Sequence, residues 1–392
     1  MRVIDLANRV KSFELNLTRR YTALGATGFD DTGERRGLQQ EYAEITLGKN
    51  HLEWISDGAV APKYFPSLYR IFPAERSPIA EARIQAAQLH QAFLLGNDVS
   101  ARNLFVGKYQ GVFRNSNSKD LVLSLRGLDC KHTINLDTAV AACRNNGTTH
   151  HCCTNAEYAY MALKCKAQGF QPQGNNNYGK DEAGNYGDVV HQYSSGATKV
   201  FGRVAQGSGP LTWFHDGSPL GVWGLNGNVY EWSPGFRIMD GKIQVLAYNT
   251  AALQGTSMAA DSVAWKGILA DGTLVDPGTE GELKYGASVA DNTIVLGSAT
   301  WSGTDYFSGL FKNLDYATQP AILKELGIIP HDAGDYAGDA IYINPAGERC
   351  PYRGGSWSLG SIYGVWCARV DSTRAYANNY FGVRPAFYET AV

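Results

Sequence analysis

The sequence lacks the charge pattern and the hydrophobic segments that would place it on nucleic acid or in a membrane. Its formal net charge is −2 and it contains no basic run, so we predict no nucleic-acid partner. No apolar stretch approaches the about 18 residues that a membrane-spanning helix requires. Charged residues interrupt segment 1–6, which therefore lacks the apolar core of a signal peptide. We expect a chain that is synthesised in a cytoplasm and has no membrane span.

The cysteine content does not suit a disulfide framework. Seven cysteines, an odd number, are spread over 392 residues. In a large chain without a secretion signal, such cysteines are more often buried thiols than disulfide partners. We therefore predict free, buried cysteines.

Patterns typical of common catalytic centres are missing or ambiguous. No Gly-x-Ser-x-Gly elbow marks a nucleophilic serine, and segment 215–217 (His-Asp-Gly) is typical of a tight turn. Segment 150–153 (His-His-Cys-Cys) contains metal-binding residue types. On an extended strand, however, adjacent side chains point to opposite faces, so only alternate residues can share an ion. A strand that leads into a helix is the preferred interpretation of this segment.

The composition that is present is globular and rich in glycine and tyrosine. Hydrophobic residues make up 44% and charged residues 18%, with 44 glycines and 22 tyrosines. These values exclude a disordered chain and indicate many turns around aromatic side chains. Helical patterns in the first hundred residues give way to patterns of short strands and loops. This change suggests an N-terminal module at 1–100 and a main domain at 101–392.

The N-terminal module is predicted to be partly helical. Apolar residues recur at helical spacing at 3–21 and again at 78–95. Between them, 43–47 and 51–55 are typical of a short β-hairpin. We interpret residues 1–100 as an attachment or oligomerisation module, with a packed extension of the main domain as an equal alternative.

Local signals in the main domain indicate helices and a long insertion. A helix at 136–144 ends in Asn-Asn-Gly, a favourable C-terminal cap, and a second helix reaches 168 from a capping box at 154–157. Segment 174–179 has turn chemistry throughout. Residues of about 240–345 are predicted to form an insertion of hairpins with one helix at 320–326.

Two motifs near the C-terminus enclose a segment without regular periodicity. Arg-Gly-Gly-Ser-Trp occupies 353–357 and Phe-Gly-Val-Arg-Pro-Ala-Phe occupies 381–387. The residues between them are typical of loops. Their tyrosine, serine, aspartate and arginine content resembles that of antibody paratopes, in which rigid rings give contact area and small polar residues adapt their hydrogen bonds. We predict a variable region at about 353–387, held by adjoining strands at its ends, with one strand face formed by Phe381, Val383, Pro385 and Phe387.

Three segments together resemble the formylglycine-generating-enzyme type of C-type lectin fold. They are the helix start at 154–158, the Gly-Leu-Asn-Gly-Asn-Val-Tyr-Glu-Trp segment at 224–232, and the C-terminal motifs. Within that family, the C-terminal segment is similar to the variable proteins of diversity-generating retroelements, many of which are phage tail or host-attachment proteins. The resemblance implies an α+β fold and a ligand-binding display protein, not an enzyme, whose Asn codons are diversified at adenines. The implied ligand-binding positions are Ser358, Leu359, Ile362, Tyr363, Trp366, Arg369, Asp371, Ser372, Tyr376 and Tyr380.

Partners follow from the same resemblance. The ligand would be a host cell-surface protein or a glycan, and other virion or tail proteins would hold residues 1–100 at the virion or tail surface. A single patch is small, so several copies bound at once would raise the affinity. We therefore expect a homo-oligomer, with a trimer as the specific expectation.

The family also offers an alternative function, that of a metal-dependent oxidase. A formylglycine-generating enzyme holds copper with two cysteine thiolates. The matching positions are Leu359 and Gly364, so this chain lacks both thiols. Other relatives hold iron with a His-x-x-x-His-x-Glu segment, which is absent as well. Cys367 remains nearby, and a buried strand cysteine is its preferred interpretation.

The resemblance requires no cofactor for binding, but it includes a calcium turn. The matching ligands are the carbonyls of Gly227 and Val229 and the carboxylate of Glu231. The family's preceding side-chain ligand falls on Gly224, which has none. A structural calcium ion is one expectation here, and pairing of Glu231 with a core arginine or with backbone amides is the other.

Overall fold

The computed structural model describes residues 3–195, 198–286, 293–295, 300–301, 307–358 and 360–391. They form a mixed α+β structure, as predicted. The helices are α1 (Val3–Leu24), α2 (Thr32–Ile45), α3 (Leu136–Arg144), α4 (Asn155–Ala167) and α5 (Ala321–Glu325). The strands are β1 (Asn50–Ser56), β2 (Tyr64–Pro73), β3 (Ala101–Gly107), β4 (Gly111–Ser116), β5 (Lys119–Ser124), β6 (His150–Cys152), β7 (Gln192–Ser195), β8 (Thr198–Phe201), β9 (Tyr230–Trp232), β10 (Phe236–Met239), β11 (Lys242–Leu246), β12 (Trp265–Ile268), β13 (Leu274–Val275), β14 (Lys284–Gly286), β15 (Thr293–Val295), β16 (Thr300–Trp301), β17 (Phe307–Leu310), β18 (Ala340–Ile343), β19 (Glu348–Arg353), β20 (Ala368–Ser372), β21 (Phe381–Gly382) and β22 (Pro385–Thr390).

The first sheet joins the two ends of the chain. Its strand order is β1-β2-β3-β22-β6, so strands from the first hundred residues lie in one sheet with the last strand. Phe387 in β22 pairs with Phe105 in β3, and the two rings stack with centroids 4.2 Å apart. Residues 1–100 are thus packed on the main domain through a continuous hydrogen-bonded sheet. Their role in attachment or oligomerisation stays a prediction.

A buried ionic cluster fastens α1 to this sheet. Glu14 is fully buried and its carboxylate accepts hydrogen bonds from Lys108 Nζ and Tyr109 OH, each at 2.6 Å. It also accepts from Tyr42 OH at 2.6 Å and from Arg126 Nη1 at 3.1 Å. Burial acts to raise the pKa of Glu14, but the adjacent Lys108 and Arg126 lower it below its ordinary value. Charge pairing therefore compensates for the removal of this carboxylate from water.

The second sheet carries the C-terminal motifs. Its main path is β13-β12-β11-β10-β19-β20-β18-β17-β16, and β9 pairs with both β19 and β21. The two motifs are therefore not adjoining strands, because β9 lies between β19 and β21. Phe381 and Val383 pack in a core cluster with Trp232, whereas Phe387 packs with Phe105 in the first sheet. The prediction of one shared face was wrong, because the chain crosses from one sheet to the other between β21 and β22.

Most predicted helices are confirmed, and one is wrong. Helices α1, α3, α4 and α5 lie where the sequence places them, and the capping box of Thr154 and Glu157 is present at α4. The helical elements of segment 78–95 are short 3-10 turns. Ala82, Ala92 and Phe93 pack into the core from separate turns and loops, and they do not form the continuous apolar stripe of a helix. In the part of the chain that the structure describes, no helix is both long and apolar enough to cross a membrane.

The predicted N-terminal hairpin is half right. Strand β1 covers 51–55, but its partner is β2 and not 43–47. Residues 43–45 belong to the last turn of α2, which begins at the N-cap Asp31, whose side chain accepts from Glu34 N at 2.7 Å. Most of segment 43–47, which the sequence pattern assigned to a strand, is therefore part of α2.

All seven cysteines are free and buried, which confirms the prediction. Cys367 directly precedes β20 and is fully buried. Burial, together with the nearby Asp339, raises the pKa of its thiol above the ordinary value. It is therefore a protonated core side chain at neutral pH and a poor metal ligand.

Candidate recognition surface

The C-terminal segment forms a pocket over the antiparallel pair β19 and β20. In this pair Tyr352 lies opposite Arg369, and Cys350 lies opposite Ser372 across a bulge. The loop that follows β20 borders an open cavity of about 360 Å³. Its main lining residues are Tyr352, Arg369, Asp371, Ser372, Tyr376 and Tyr380.

A polar row runs along the floor of this pocket. The hydroxyl of Tyr352 donates to Asp371 Oδ1 and lies 3.2 Å from Ser372 Oγ. Arg369 binds the same carboxylate with two nitrogens, Nε to Oδ1 at 3.3 Å and Nη2 to Oδ2. Burial and the charge of Asp371 raise the pKa of Tyr352 well above its usual range. Arg369 is thus a cation and Tyr352 a neutral donor at any physiological pH.

The row continues through two tyrosines. The guanidinium of Arg369 lies 4.5 Å from the ring centroid of Tyr342. The rings of Tyr342 and Tyr363 are parallel at 5.8 Å, and Tyr363 OH donates to Tyr342 OH at 2.8 Å. Burial and this hydrogen bond raise the pKa of Tyr363. The arginine is consequently held by an aromatic face as well as by Asp371.

The loop at 373–380 is anchored at its base. Arg374 donates to Glu348 through Nε at 2.7 Å and Nη2 at 2.8 Å, and its Nη1 lies 2.9 Å from Asp137 Oδ1. The peptide N–H of Leu136 donates to the carbonyl of Arg374 at 3.1 Å. Tyr376, which is 41% exposed, is therefore presented from a backbone that is tied to the scaffold. Such anchoring reduces the ordering cost of binding.

A buried ion pair joins the two sheets. Arg384 donates to Glu231 through Nε at 2.8 Å and Nη2 at 2.5 Å, and both side chains are buried. Arg384 Nη1 also donates to the carbonyl of Gly107 at the end of β3, at 2.8 Å. Since Glu231 lies in β9 of the second sheet and Gly107 in β3 of the first, this one arginine connects both sheets.

The predicted calcium ligands already have hydrogen-bond donors. Gln110 Nε2 donates to the carbonyl of Val229 at 3.0 Å, to the carbonyl of Gly227 at 3.3 Å and to Glu231 Oε1 at 3.1 Å. A calcium ion bound by the same three oxygens would have to displace this amide. The residues present therefore do not fit calcium, and Glu231 pairs with a core arginine, Arg384, which is the alternative that the sequence analysis weighed.

The ten predicted ligand-binding positions differ in where the structure places them. Five of them line the same pocket, as described above. Ile362 is 39% exposed and Ser358 is half-buried, both away from that pocket, and Leu359 lies outside the described residues. Tyr363 is 5% exposed and supports the polar row from below. The tenth position, Trp366, belongs to the core.

Trp366 is not an aromatic anchor, which corrects the prediction. Its side chain is fully buried, and its ring lies 5.6 Å from that of Phe311 and 5.0 Å from that of Tyr336. Its peptide N–H donates to Asp339 Oδ2 at 2.7 Å. The 3-10 turn Gly360–Ile362 directs the chain inward before β20, so Trp366 packs under the surface.

The structure gives no support to the oxidase alternative at Gly364, the one of the two matching positions that lies within the described residues. An added Cβ at Gly364 would lie 2.5 Å from Asp339 Oδ1, so a cysteine does not fit there unless Asp339 moves. Among the described residues, no group of three or more histidine, cysteine, aspartate or glutamate side chains could hold a metal ion. His150 and Cys152 lie in strand β6, as expected, and His151 Nε2 lies 2.8 Å from Glu157 Oε1.

The segment at 215–217 is confirmed as a turn. Gly217 N donates to the carbonyl of Phe214 at 3.0 Å, and Asp216 Oδ1 accepts from Ser218 N at 3.0 Å and from Ser218 Oγ at 2.8 Å. His215 Nδ1 accepts from Val222 N at 2.8 Å. These side chains cap the turn and do not form a catalytic dyad with each other.

An aromatic cluster next to the variable region was missed by sequence reasoning. Tyr193 in β7 lies 4.7 Å from Trp357 by ring centroids, and Tyr178 N donates to the carbonyl of Trp357 at 2.6 Å. Tyr178 is 39% exposed and lies in the asparagine-rich segment 174–179, which the sequence indicated only as a turn. The position of Tyr178 depends on its packing against Trp357, which is far away in the sequence. No local sequence pattern signals such a contact.

Comparison with known proteins yields only distant structural likenesses. No protein-family model and no curated protein sequence matches the chain. Among solved structures, the chain is similar to the Major Tropism Determinant U1 variant, with a TM-score of 0.31, 10% identity, and coverage of 88% of this chain and 73% of that chain. The I1 variant gives a TM-score of 0.30 and 10% identity, with coverage of 87% and 72%. Likeness at this level carries no argument about fold or function.

Proposed function

We propose that this chain is a ligand-binding display protein that contacts its partner through the pocket over β19 and β20. The observation that carries the proposal is the preassembled row of Tyr352, Arg369 and Asp371, flanked by Tyr376 and Tyr380. Tyrosine and arginine are enriched among the residues that dominate binding energy at interfaces. Here their side chains are already oriented, so less conformational entropy is lost on binding.

The fold type and the diversification belong to the same proposal. A C-type lectin fold of the formylglycine-generating-enzyme type is supported by the motif resemblance and by the buried Glu231–Arg384 pair, which uses residues of two of those motifs. Diversification is supported by the division between buried and accessible positions. Ser358, Ile362 and Tyr376 can change without altering the core, whereas Arg384 cannot.

The genomic DNA around the coding sequence tests the diversification. We expect a nearby reverse transcriptase and a template copy of codons 353–387 that differs from the gene at adenines. The differences should fall at the accessible positions and spare the codons of Arg353, Trp366 and Arg384, because these side chains are fully buried. A template that differs equally at buried and accessible codons contradicts the proposal.

A host cell-surface protein or a glycan is the proposed class of ligand, and the virion or tail surface is the proposed location. The pocket is small, so attachment needs several copies acting together, which can raise affinity by about 10²–10⁴. We propose a homo-oligomer, a trimer, with residues 1–100 as the contact to other tail proteins. Light scattering coupled to size-exclusion chromatography tests this point, and a strict monomer at high concentration contradicts it.

The binding role is tested directly with labelled protein and a panel of intact bacterial strains. The wild type is expected to label at least one strain, and the combined variant Arg369→Ala/Tyr376→Ala to lose labelling by about tenfold or more, since two such anchors are removed. Tyr186→Ala is the matched control, because Tyr186 is exposed but lies outside the pocket. Equal labelling by all three proteins contradicts the assignment of this pocket, and no labelling of any strain contradicts the host-surface ligand.

A further inference from the structure

A second cavity lies between the asparagine-rich turn at 174–179 and the segment 360–365. Its volume is about 190 Å³. Sites for whole drug-sized ligands occupy roughly 300–1,000 Å³, so this cavity suits a side chain or a small head group. The peptide N–H of Gly360 donates to the carbonyl of Asn176 at 2.8 Å and holds the two walls together.

One wall presents a buried acceptor without a partner. Asn176 is 4% exposed and lines the cavity. Its Nδ2 lies 3.5 Å from Asn226 Oδ1 and 3.5 Å from the carbonyl of Tyr363, both acceptors, which fixes the orientation of the amide. Its Oδ1 then has no hydrogen-bond partner, and neither does Gln173 Oε1 in the same lining. Unsatisfied buried acceptors are costly, and a ligand that donates hydrogen bonds would relieve that cost.

The lining is also negatively charged. It contains Asp181, Glu182 and Asp339 and no lysine or arginine. Asp181 is held in place by Asn185 N and Trp213 Nε1, each at 2.8 Å. Asp339 is fully buried, and it lines the cavity together with Gly364. The cavity thus combines oriented acceptors with an excess of carboxylates.

We infer that this cavity binds a small organic cation, the head group of an arginine or lysine side chain or of a free alkylamine. Guanidinium and ammonium groups carry only donors, which matches a lining of free acceptors and carboxylates. The inference stands on this lining alone. It holds whether or not the pocket over β19 and β20 binds a host ligand.

The binding is expected to depend on pH through Asp339. Burial raises the pKa of Asp339 to about 7, opposed by the peptide N–H groups of Trp366 and Cys367 and by the charge of Arg353, while Asp335 raises it further. Asp339 is therefore charged above about pH 7 and neutral below it. A guanidinium keeps its charge throughout this range, so its affinity should fall as the pH decreases through that value.

Calorimetric titration of the full chain with ethylguanidinium chloride tests the inference. Neutral ethylurea and sodium chloride of the same ionic strength are the controls. We expect one site of millimolar affinity for ethylguanidinium and butylammonium, and binding of ethylurea weaker by about tenfold or more, since the neutral probe lacks the charge attraction. Equal binding of ethylurea overturns the inference, as does the absence of saturation by either cation at about 50 mM, more than tenfold above a millimolar Kd.

Two variants assign the binding to the cavity. Asp339→Asn should weaken ethylguanidinium binding by about tenfold and remove its pH dependence. Gln173→Leu, which removes an amide whose Oε1 has no hydrogen-bond partner, should weaken it by about threefold, and keeps the test valid if Asp339→Asn does not fold. Asp271→Asn is the matched control on an exposed turn, and an equal loss in that variant overturns the assignment.

Discussion

The chain uses two arginine–carboxylate pairs, Arg384–Glu231 and Arg369–Asp371, and their surroundings differ. The Arg384–Glu231 side chains are 0% and 3% exposed, whereas those of Arg369–Asp371 are 22% and 8% exposed. Arg384 of the first pair also binds the backbone carbonyls of Gly107 and Trp223, and the second pair is held by aromatic rings and Tyr352. The difference indicates that the inner pair maintains the scaffold and the outer pair is available to a ligand.

The largest effect is expected at the inner pair. Glu231→Gln removes the charge partner of Arg384 and leaves a buried cation uncompensated, which should lower the free energy of unfolding by about 3–5 kcal/mol. Urea unfolding followed by tryptophan fluorescence measures this change. A loss below about 1 kcal/mol, the size typical of surface pairs, would show that the inner pair does not maintain the scaffold.

An intermediate effect is expected at Gln110. Its amide donates to Glu231 of the inner pair and to the two carbonyls that were predicted to bind calcium. Gln110→Leu leaves the carbonyls of Gly227 and Val229 with one donor fewer and should cost about 1–3 kcal/mol. Millimolar calcium should not raise the Tm of the wild type, because the amide of Gln110 already satisfies these oxygens. A clear rise in Tm that a chelator reverses would show that calcium does bind at this position.

The smallest effect on stability is expected at the outer pair. Asp371→Asn keeps the shape of the side chain and removes its charge, and partly exposed pairs contribute only about 0–1 kcal/mol. The same variant should weaken binding to any strain that the wild type labels, since Arg369 loses its orientation. Asp276→Asn, at a more exposed ion pair outside the pocket, is the control for both measurements. A loss of stability as large as that of Glu231→Gln would mean that the two pairs have the same structural role.

Local chemistry was predictable where neighbours in sequence determine it. The capping box at Thr154, the helix α3, the turn at 215–217 and the buried state of the cysteines all follow from residues a few positions apart or from composition. Segment 78–95 shows the limit of this reasoning. Its apolar spacing is helical, yet Ala82, Ala92 and Phe93 are buried in the core while Ala86 is exposed, and packing overrides the local preference.

The candidate site was predictable as a stretch of residues but not as a surface. The sequence indicated Arg369, Asp371, Ser372, Tyr376 and Tyr380, which do meet in one pocket. It also indicated Trp366, which the inward turn at 360–362 buries. Tyr352, which lies opposite Arg369 in the paired strand, was overlooked. Side chains two positions apart on a strand share a face, so Tyr352 and Cys350 could have been placed on one face from the sequence.

The sequence by itself determined the α+β class, most helices, the absence of both copper-binding thiols at 359 and 364, and the stretch that carries the variable side chains. Each of these depends on residue identity or on spacing within one segment. Only the tertiary structure decided which of those side chains reach solvent, that Gln110 stands where calcium was expected, and that a cation-sized cavity adjoins the surface. These features arise from contacts between segments far apart in the chain, and such contacts leave no periodic signal in the sequence.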